Sequence, residues 1–213
     1  MIRLLLAAGR KRAGGKVLLD LPLLTDTLDA SGNTVATRSG YSSPTDGIVT
    51  IDGRGALRVT QNKGVNYVVK AGGIDLFKQR KWTLEFEIKF ASVTAFRHDA
   101  FFASWKEAAG TNFTLALWNN QYQGNRLIIS TPAKPTESQP FLIEGSGVSN
   151  NVWYKYRLEW SSVDKMMKLY KDDVLSASAL CNEDLVSKRF DIRALPSDYF
   201  DGWLRNIKIT GED

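Results

Sequence analysis

Glu85 and Glu87 flank Phe86 in the stretch WTLEFEIKF (82–90), two carboxylates that an extended chain places on one face. Paired acids are what glycoside hydrolysis asks for, one as general acid and one as nucleophile or base, and the retaining form needs them about 5 to 5.5 Å apart. LWNNQYQGNR (117–126) offers a different chemistry. Trp118 and Tyr122 are suited to stack on a pyranose ring, and Asn119, Asn120 and Gln123 carry donors and acceptors for its hydroxyls. The plainer alternative is a polar hairpin loop with Trp118 in the core. DTLDASGN (26–33) gathers Asp26, Asp29, Ser31 and Asn33, oxygen ligands of the kind calcium accepts, but without the ordered spacing of an EF-hand loop. An Asx-type turn held by its own side chains explains these residues better.

Composition closes other routes. His98 is the single histidine, which argues against histidine-based metal catalysis and leaves a Ser-His-Asp triad one candidate base. Cys181 is the single cysteine, so no internal disulfide and no cysteine-cluster zinc site can form. No metal or cofactor is expected. No apolar run approaches the roughly 20 residues of a membrane span. Ile2 to Ala8 is apolar, but Gly9-Arg10-Lys11-Arg12 ends the run and no small-residue cleavage site follows, so no export signal is read.

Charge divides the chain in two. Arg3, Arg10, Lys11, Arg12 and Lys16 precede the first acid, Asp20. Taking those five from the 28 Lys and Arg leaves 23, equal to the 23 Asp and Glu, so the formal net charge of +5 belongs to an N-terminal arm. Such an arm suits an acidic partner. The body is neutral, and the basic residues cluster without interleaved aromatics, which argues against nucleic-acid recognition.

The elements that must position these residues are strands. Residues 82–90 alternate strictly, with Trp82, Leu84, Phe86, Ile88 and Phe90 on one face and Thr83, Glu85, Glu87 and Lys89 on the other. VWYKYRLEW (152–160) does the same: Val152, Tyr154, Tyr156, Leu158 and Trp160 build a core wall, and of its aromatics only Trp153 falls with the charges. Further strands are expected at 47–51, 56–60, 66–70, 100–105, 113–118, 126–130, 141–145, 167–171, 174–178 and 203–210, separated by turn-rich stretches. Helical turns are expected at IDLFKQ (74–79) and NEDLVSKRF (182–190). The organisation read from this is a basic arm over 1–16 and one all-β domain over 17–213.

At this level the chain resembles the concanavalin A-like lectin/glucanase (laminin-G-like) jelly rolls. WYKYRLEW is similar to that family's W-x-x-V-A-V-x-W strand, and MKLYKDDVL to the hairpin that follows it. LPLLTDTLDASGN resembles the opening D-x-S-G-N turn, WTLEFEIKF the F-T-I-E-F-W-V-K strand, and FDGWLRNIKIT the closing strand. These segments span about residues 17 to 210 in the family's order. One departure is Asp173, where glycine would favour the left-handed turn. The resemblance implies an all-β, concanavalin A-like jelly-roll sandwich of two antiparallel sheets. Glycosidases of that superfamily carry E-x-D-x-x-E on one strand; here the third position is Glu87 and the sixth is Phe90, so the catalytic set is incomplete and no enzyme is expected.

Such folds host several functions, which must be argued from a site. The first expectation is a non-enzymatic structural or decoration protein of a tailed-phage virion (capsid, tail or fibre), assembled in the host cytoplasm within a larger particle. Its arm would dock on other virion proteins, with Leu4, Leu5 and Leu6 as apolar anchors and Arg10, Lys11 and Arg12 facing acidic groups. The alternative is a module that binds a host surface glycan, through Trp118, Asn119, Asn120, Tyr122 and Gln123. A glycoside hydrolase is the third reading.

Overall fold

Period-two alternation sets the architecture of the chain. The computed structural model describes residues 15–60, 62–93, 99–105, 113–120, 125–133, 141–183, 185–193 and 200–213, with the backbone alone given at 99–101, 105, 113–115, 118–120 and 193. The first strands are β1 (Lys16–Leu21), β2 (Thr34–Ser39), β3 (Ile48–Ile51), β4 (Arg54–Val59) and β5 (Gly64–Val69). β6 (Lys81–Phe90), β7 (Asp99–Trp105), β8 (Phe113–Asn120), β9 (Arg126–Ser130) and β10 (Leu142–Ile143) follow. β11 (Trp153–Ser161), β12 (Met166–Lys171), β13 (Val174–Leu180), β14 (Arg189–Arg193) and β15 (Gly202–Glu212) complete the order. Among the described residues there is no helix, and so none long and apolar enough to cross a membrane.

The strands form the two antiparallel sheets expected from the sequence. An eight-stranded sheet runs β13-β12-β11-β6-β15-β4-β3, with β1 added on β15, and a seven-stranded sheet runs β10-β9-β8-β7-β14-β5-β2. β6 lies near the middle of the larger sheet, between β11 and β15. Its inward residues Trp82, Phe86 and Ile88 are buried, as are Tyr156, Leu158 and Trp160 of β11. Phe86 meets Phe102 of the facing sheet edge-on at 4.8 Å between ring centroids and stacks on Tyr156 at 5.4 Å, so the register read from alternation is the observed one. Val152 departs from it: the strand begins one residue later, and Val152 is 44% exposed.

β15 changes partner along its length. Gly202, Trp203 and Leu204 pair with β4, whereas Ile207 to Gly211 pair with β1. The switch falls at a register shift between Arg205 and Lys208 on the β6 side, where Asn206 takes a left-handed φ of 53°. An extra residue at this point bends the strand and turns its side chain out of the regular alternation. The peptide N–H of Asn206 then bonds to the Pro22 carbonyl at 3.0 Å.

The two expected helical turns are corrected. Residues 74–79 form an Asx-type turn instead: Asp75 Oδ1 accepts from the N–H groups of Phe77 and Lys78 (both 3.2 Å) and of Ser187 (2.7 Å). A buried aspartate bonding its own backbone offers the chain an alternative to helix. In the second stretch, the described residues 182, 183 and 185–188 form no helix, and 189–190 open β14, which pairs with β5 and β7. β1 begins at Lys16, whose partner is Gly211, so that cation belongs to the sheet. Residues 1–14, with Leu4, Leu5, Leu6, Arg10, Lys11 and Arg12, lie outside the described residues, as does His98.

Candidate functional site

The outward side chains of the eight-stranded sheet form a lattice whose rows follow from strand register. Arg157, Glu85 and Lys208 stand in one row across β11, β6 and β15; Lys155, Glu87 and Arg205 stand in the next; Trp153, Lys89 and Trp203 stand in the one after. Each of the two glutamates thus has a cation on either side. Glu87 is tied most firmly: Oε2 accepts from Arg205 Nε and Oε1 from Asn206 Nδ2, both at 2.7 Å. Partial burial pushes its carboxyl up, but the bonds from Asn206 and Arg205 and the Arg205 charge outweigh this and hold it below the ordinary glutamate value. A general acid needs the opposite shift.

The Asp26–Asn33 segment is the self-held turn. Asp29 Oδ1 accepts from the N–H groups of Asp20 (3.0 Å) and Ser31 (2.9 Å), and Oδ2 accepts from the N–H (3.0 Å) and hydroxyl (2.8 Å) of Thr34. Ser31 Oγ adds a bond of 2.7 Å to Oδ1. Any cation there would have to displace these donors. Asn33 looks elsewhere, its amide nitrogen donating to the carbonyls of Leu18 and Ile74. Among the described residues no three His, Cys, Asp or Glu side chains gather as a metal site would need.

The glycan candidates at 118–123 divide. Trp118, Asn119 and Asn120 are the last residues of β8, paired in register with Ile128, Leu127 and Arg126. Tyr122 and Gln123 lie outside the described residues.

Two features of the outer face were not singled out as sites in the sequence. At its Lys81 end a groove of about 710 Å³ has Thr83, Glu85, Glu159, Thr210, Lys168 and Lys208 among its lining residues. At the opposite end, Trp153 and Trp203 stand two strands apart with Lys89 between them. Arg205 lies 3.9 Å from the Trp153 ring centroid and Arg58 lies 4.6 Å from that of Trp203. Asp52, at the left-handed tip of the β3–β4 hairpin, accepts through Oδ2 from both Lys89 Nζ and Trp153 Nε1, each at 2.8 Å. The bond from Lys89, then that from Trp153, hold the Asp52 carboxyl below the usual aspartate value. The outward position of Trp153 was legible from alternation, but its partners were not, because Asp52 is 101 residues away in the chain.

No family model matches the sequence, and no curated protein sequence matches it. The fold has clear counterparts among solved structures. A botulinum neurotoxin type C structure, from work describing cell entry as dependent on two ganglioside molecules, superposes with a TM-score of 0.69 at 15% identity. That match covers 93% of this chain and 48% of the other. The binding domain of serotype D gives 0.65 at 10% identity, over 93% and 49%. The chain therefore spans about half the length of these toxin domains. Domain 4 of AbnA, a GH43 extracellular arabinanase from Geobacillus stearothermophilus in complex with arabinotriose, gives 0.64 at 15% identity, and there the match covers 93% of this chain and 94% of that domain. At these identities the likeness is one of fold. The chain is an all-β jelly-roll sandwich, a fold that it shares with these domains.

Proposed function

We propose that the chain is a glycan-binding β-sandwich module with no hydrolytic activity of its own. The observation that carries this reading is the end-to-end likeness to an arabinanase domain described in complex with arabinotriose. The chain's own outer face supports it. A groove of about 710 Å³ and two half-buried indoles set among carboxylates, amides and cations supply what sugars require, which is apolar area for ring faces and paired donors and acceptors for hydroxyls. In this reading Glu87 anchors Arg205 and Asn206, and Glu85 lines the groove. None of the structures named above is a virion component, and they favour the glycan-binding alternative over the virion reading.

A glycan array with the intact chain, followed by calorimetry on the best ligand, tests the proposal. Saturable binding of at least one oligosaccharide is expected. A chain that bound no glycan on the array and none, arabinotriose included, in solution at millimolar concentration would overturn it.

A further inference from the structure

Trp153 is laid flat and fastened. Arg205 is 6% exposed and its guanidinium lies 3.9 Å from the indole centroid, so one face of the ring roofs a buried cation. Trp153 itself is half-buried, which leaves its exposed area to the opposite face and edge. The ring cannot turn freely, because Nε1 donates to Asp52 Oδ2 at 2.8 Å and that same oxygen holds Lys89 Nζ. Asp52 Oδ1 makes no hydrogen bond among the described residues, and the Asp52 side chain is 55% exposed. Beneath the ring Arg205 Nη1 is buried without an acceptor, so the guanidinium is held there partly by the indole face.

A flat aromatic ring with one open face, fixed before any ligand arrives and bordered by a carboxylate oxygen with no partner among the described residues, is a stacking surface with a hydroxyl acceptor at its rim. Pre-organisation of this kind removes an ordering cost from binding. The charges select among ligands. A cationic group over the open face would meet Arg205 through the ring, and an anionic group would meet Asp52. An uncharged ring with an apolar face and outward hydroxyls meets neither penalty. Trp203 stands two strands further on, about 10 Å away by sheet spacing, with Arg58 against its ring. The row therefore has room for more than one sugar unit.

We infer that Trp153 and Asp52 form a subsite for a neutral sugar, the indole stacking on its ring face and Asp52 Oδ1 accepting from a hydroxyl, in a neutral oligosaccharide that extends toward Trp203. This rests on the glycan-binding reading and names the place and chemistry of recognition within it.

The test titrates the intact chain with arabinotriose and with the best neutral and best uronate-bearing oligosaccharides from the array, following the Trp153 indole N–H resonance, assigned by its loss in Trp153→Phe. The resonance should shift with the neutral ligand and saturate with the calorimetric constant. Trp153→Ala should weaken binding at least tenfold, and Asp52→Asn by about tenfold, in the range of one hydrogen bond to a charged group. Thermal melting of each variant and of Trp153→Phe, which keeps an aromatic roof over Arg205, separates binding from folding. Binding that persisted with an unmoved resonance, full affinity in Trp153→Ala, or preference for the uronate ligand would overturn the subsite while leaving glycan binding standing. Absence of binding to every glycan would overturn both.

Discussion

Tyr156 of β11 donates a 2.7 Å hydrogen bond to Glu144, a carboxylate with no solvent exposure at the end of β10. The bond joins the two sheets, since β11 lies in the larger and β10 in the smaller. Lys171, 11% exposed, pairs with the same carboxylate, and the Leu127 N–H and Ser146 hydroxyl supply further donors. Burial, then the Glu144 charge, push the Tyr156 hydroxyl far above the ordinary tyrosine value, so it stays a donor.

Removing Tyr156's hydroxyl should therefore weaken the sandwich measurably. Tyr156→Phe is expected to cost about 1.5 to 3 kcal/mol, the range for a bond to a charged acceptor. Glu144→Ala should cost more, about 3 to 5 kcal/mol, because Lys171 is left buried and unpaired. Urea unfolding followed by fluorescence gives both numbers, and equal, near-zero losses would show that the network does not hold the sheets together.

Phe86 touches the facing sheet through Phe102 and its own sheet through Tyr156. Phe86→Ala should cost about 3 to 5 kcal/mol, as expected for a truncated core aromatic. A loss below about 1 kcal/mol would mean that the core collapses around the cavity far more freely than this packing allows.

Stability should fall with acid through Glu87. Its folded-state pKa lies below the unfolded one, so the unfolded chain takes up the proton first. The contribution is complete above the ordinary glutamate value of about 4.3 and is lost as pH falls from there through the folded value. Glu87→Gln should flatten the stability profile across that window and leave it unchanged near neutrality apart from a constant offset. An unaltered acid limb in the variant would remove Glu87 from the account.

No polysaccharide should be hydrolysed. A reducing-end assay with arabinan and β-glucan is expected to read at background for the intact chain, for Glu85→Gln and for Glu87→Gln alike. Turnover abolished by either substitution would restore the carboxylate pair as catalytic.

Much of the fold was legible because alternation is a local signal. Residues 82–89 and 153–160 pair one to one, Trp82 opposite Trp160 and Phe86 opposite Tyr156, as two half-buried strands should. The irregular stretches were harder. Residues 74–79 carry apolar spacing that suits a helical turn, but Asp75 accepts from the nearby Phe77 and Lys78 N–H groups and, across the chain, from that of Ser187. β14 does alternate, as Arg189-Phe190-Asp191-Ile192-Arg193, but it is only five residues long and its first two residues fall within the stretch that was expected to form a helical turn. The outward aspect of Trp153 was readable, but a site made by Asp52, Lys89, Trp153 and Arg205 depends on which strands become neighbours. Periodicity does not carry that information.

β15 has a consequence for how the molecule is made. One late strand, residues 202–212, is the shared neighbour of β6, β4 and β1. During synthesis β6 and β11 can meet early, but β1 and β4 have no sheet to join until some 140 further residues beyond β4 have emerged. Loop closure over such distances is slow, and the waiting edges are exposed meanwhile. The larger sheet is thus completed last and from the C-terminal side, and a ribosome-bound chain arrested before residue 202 should be open to proteases at its N-terminal third while the finished chain resists them.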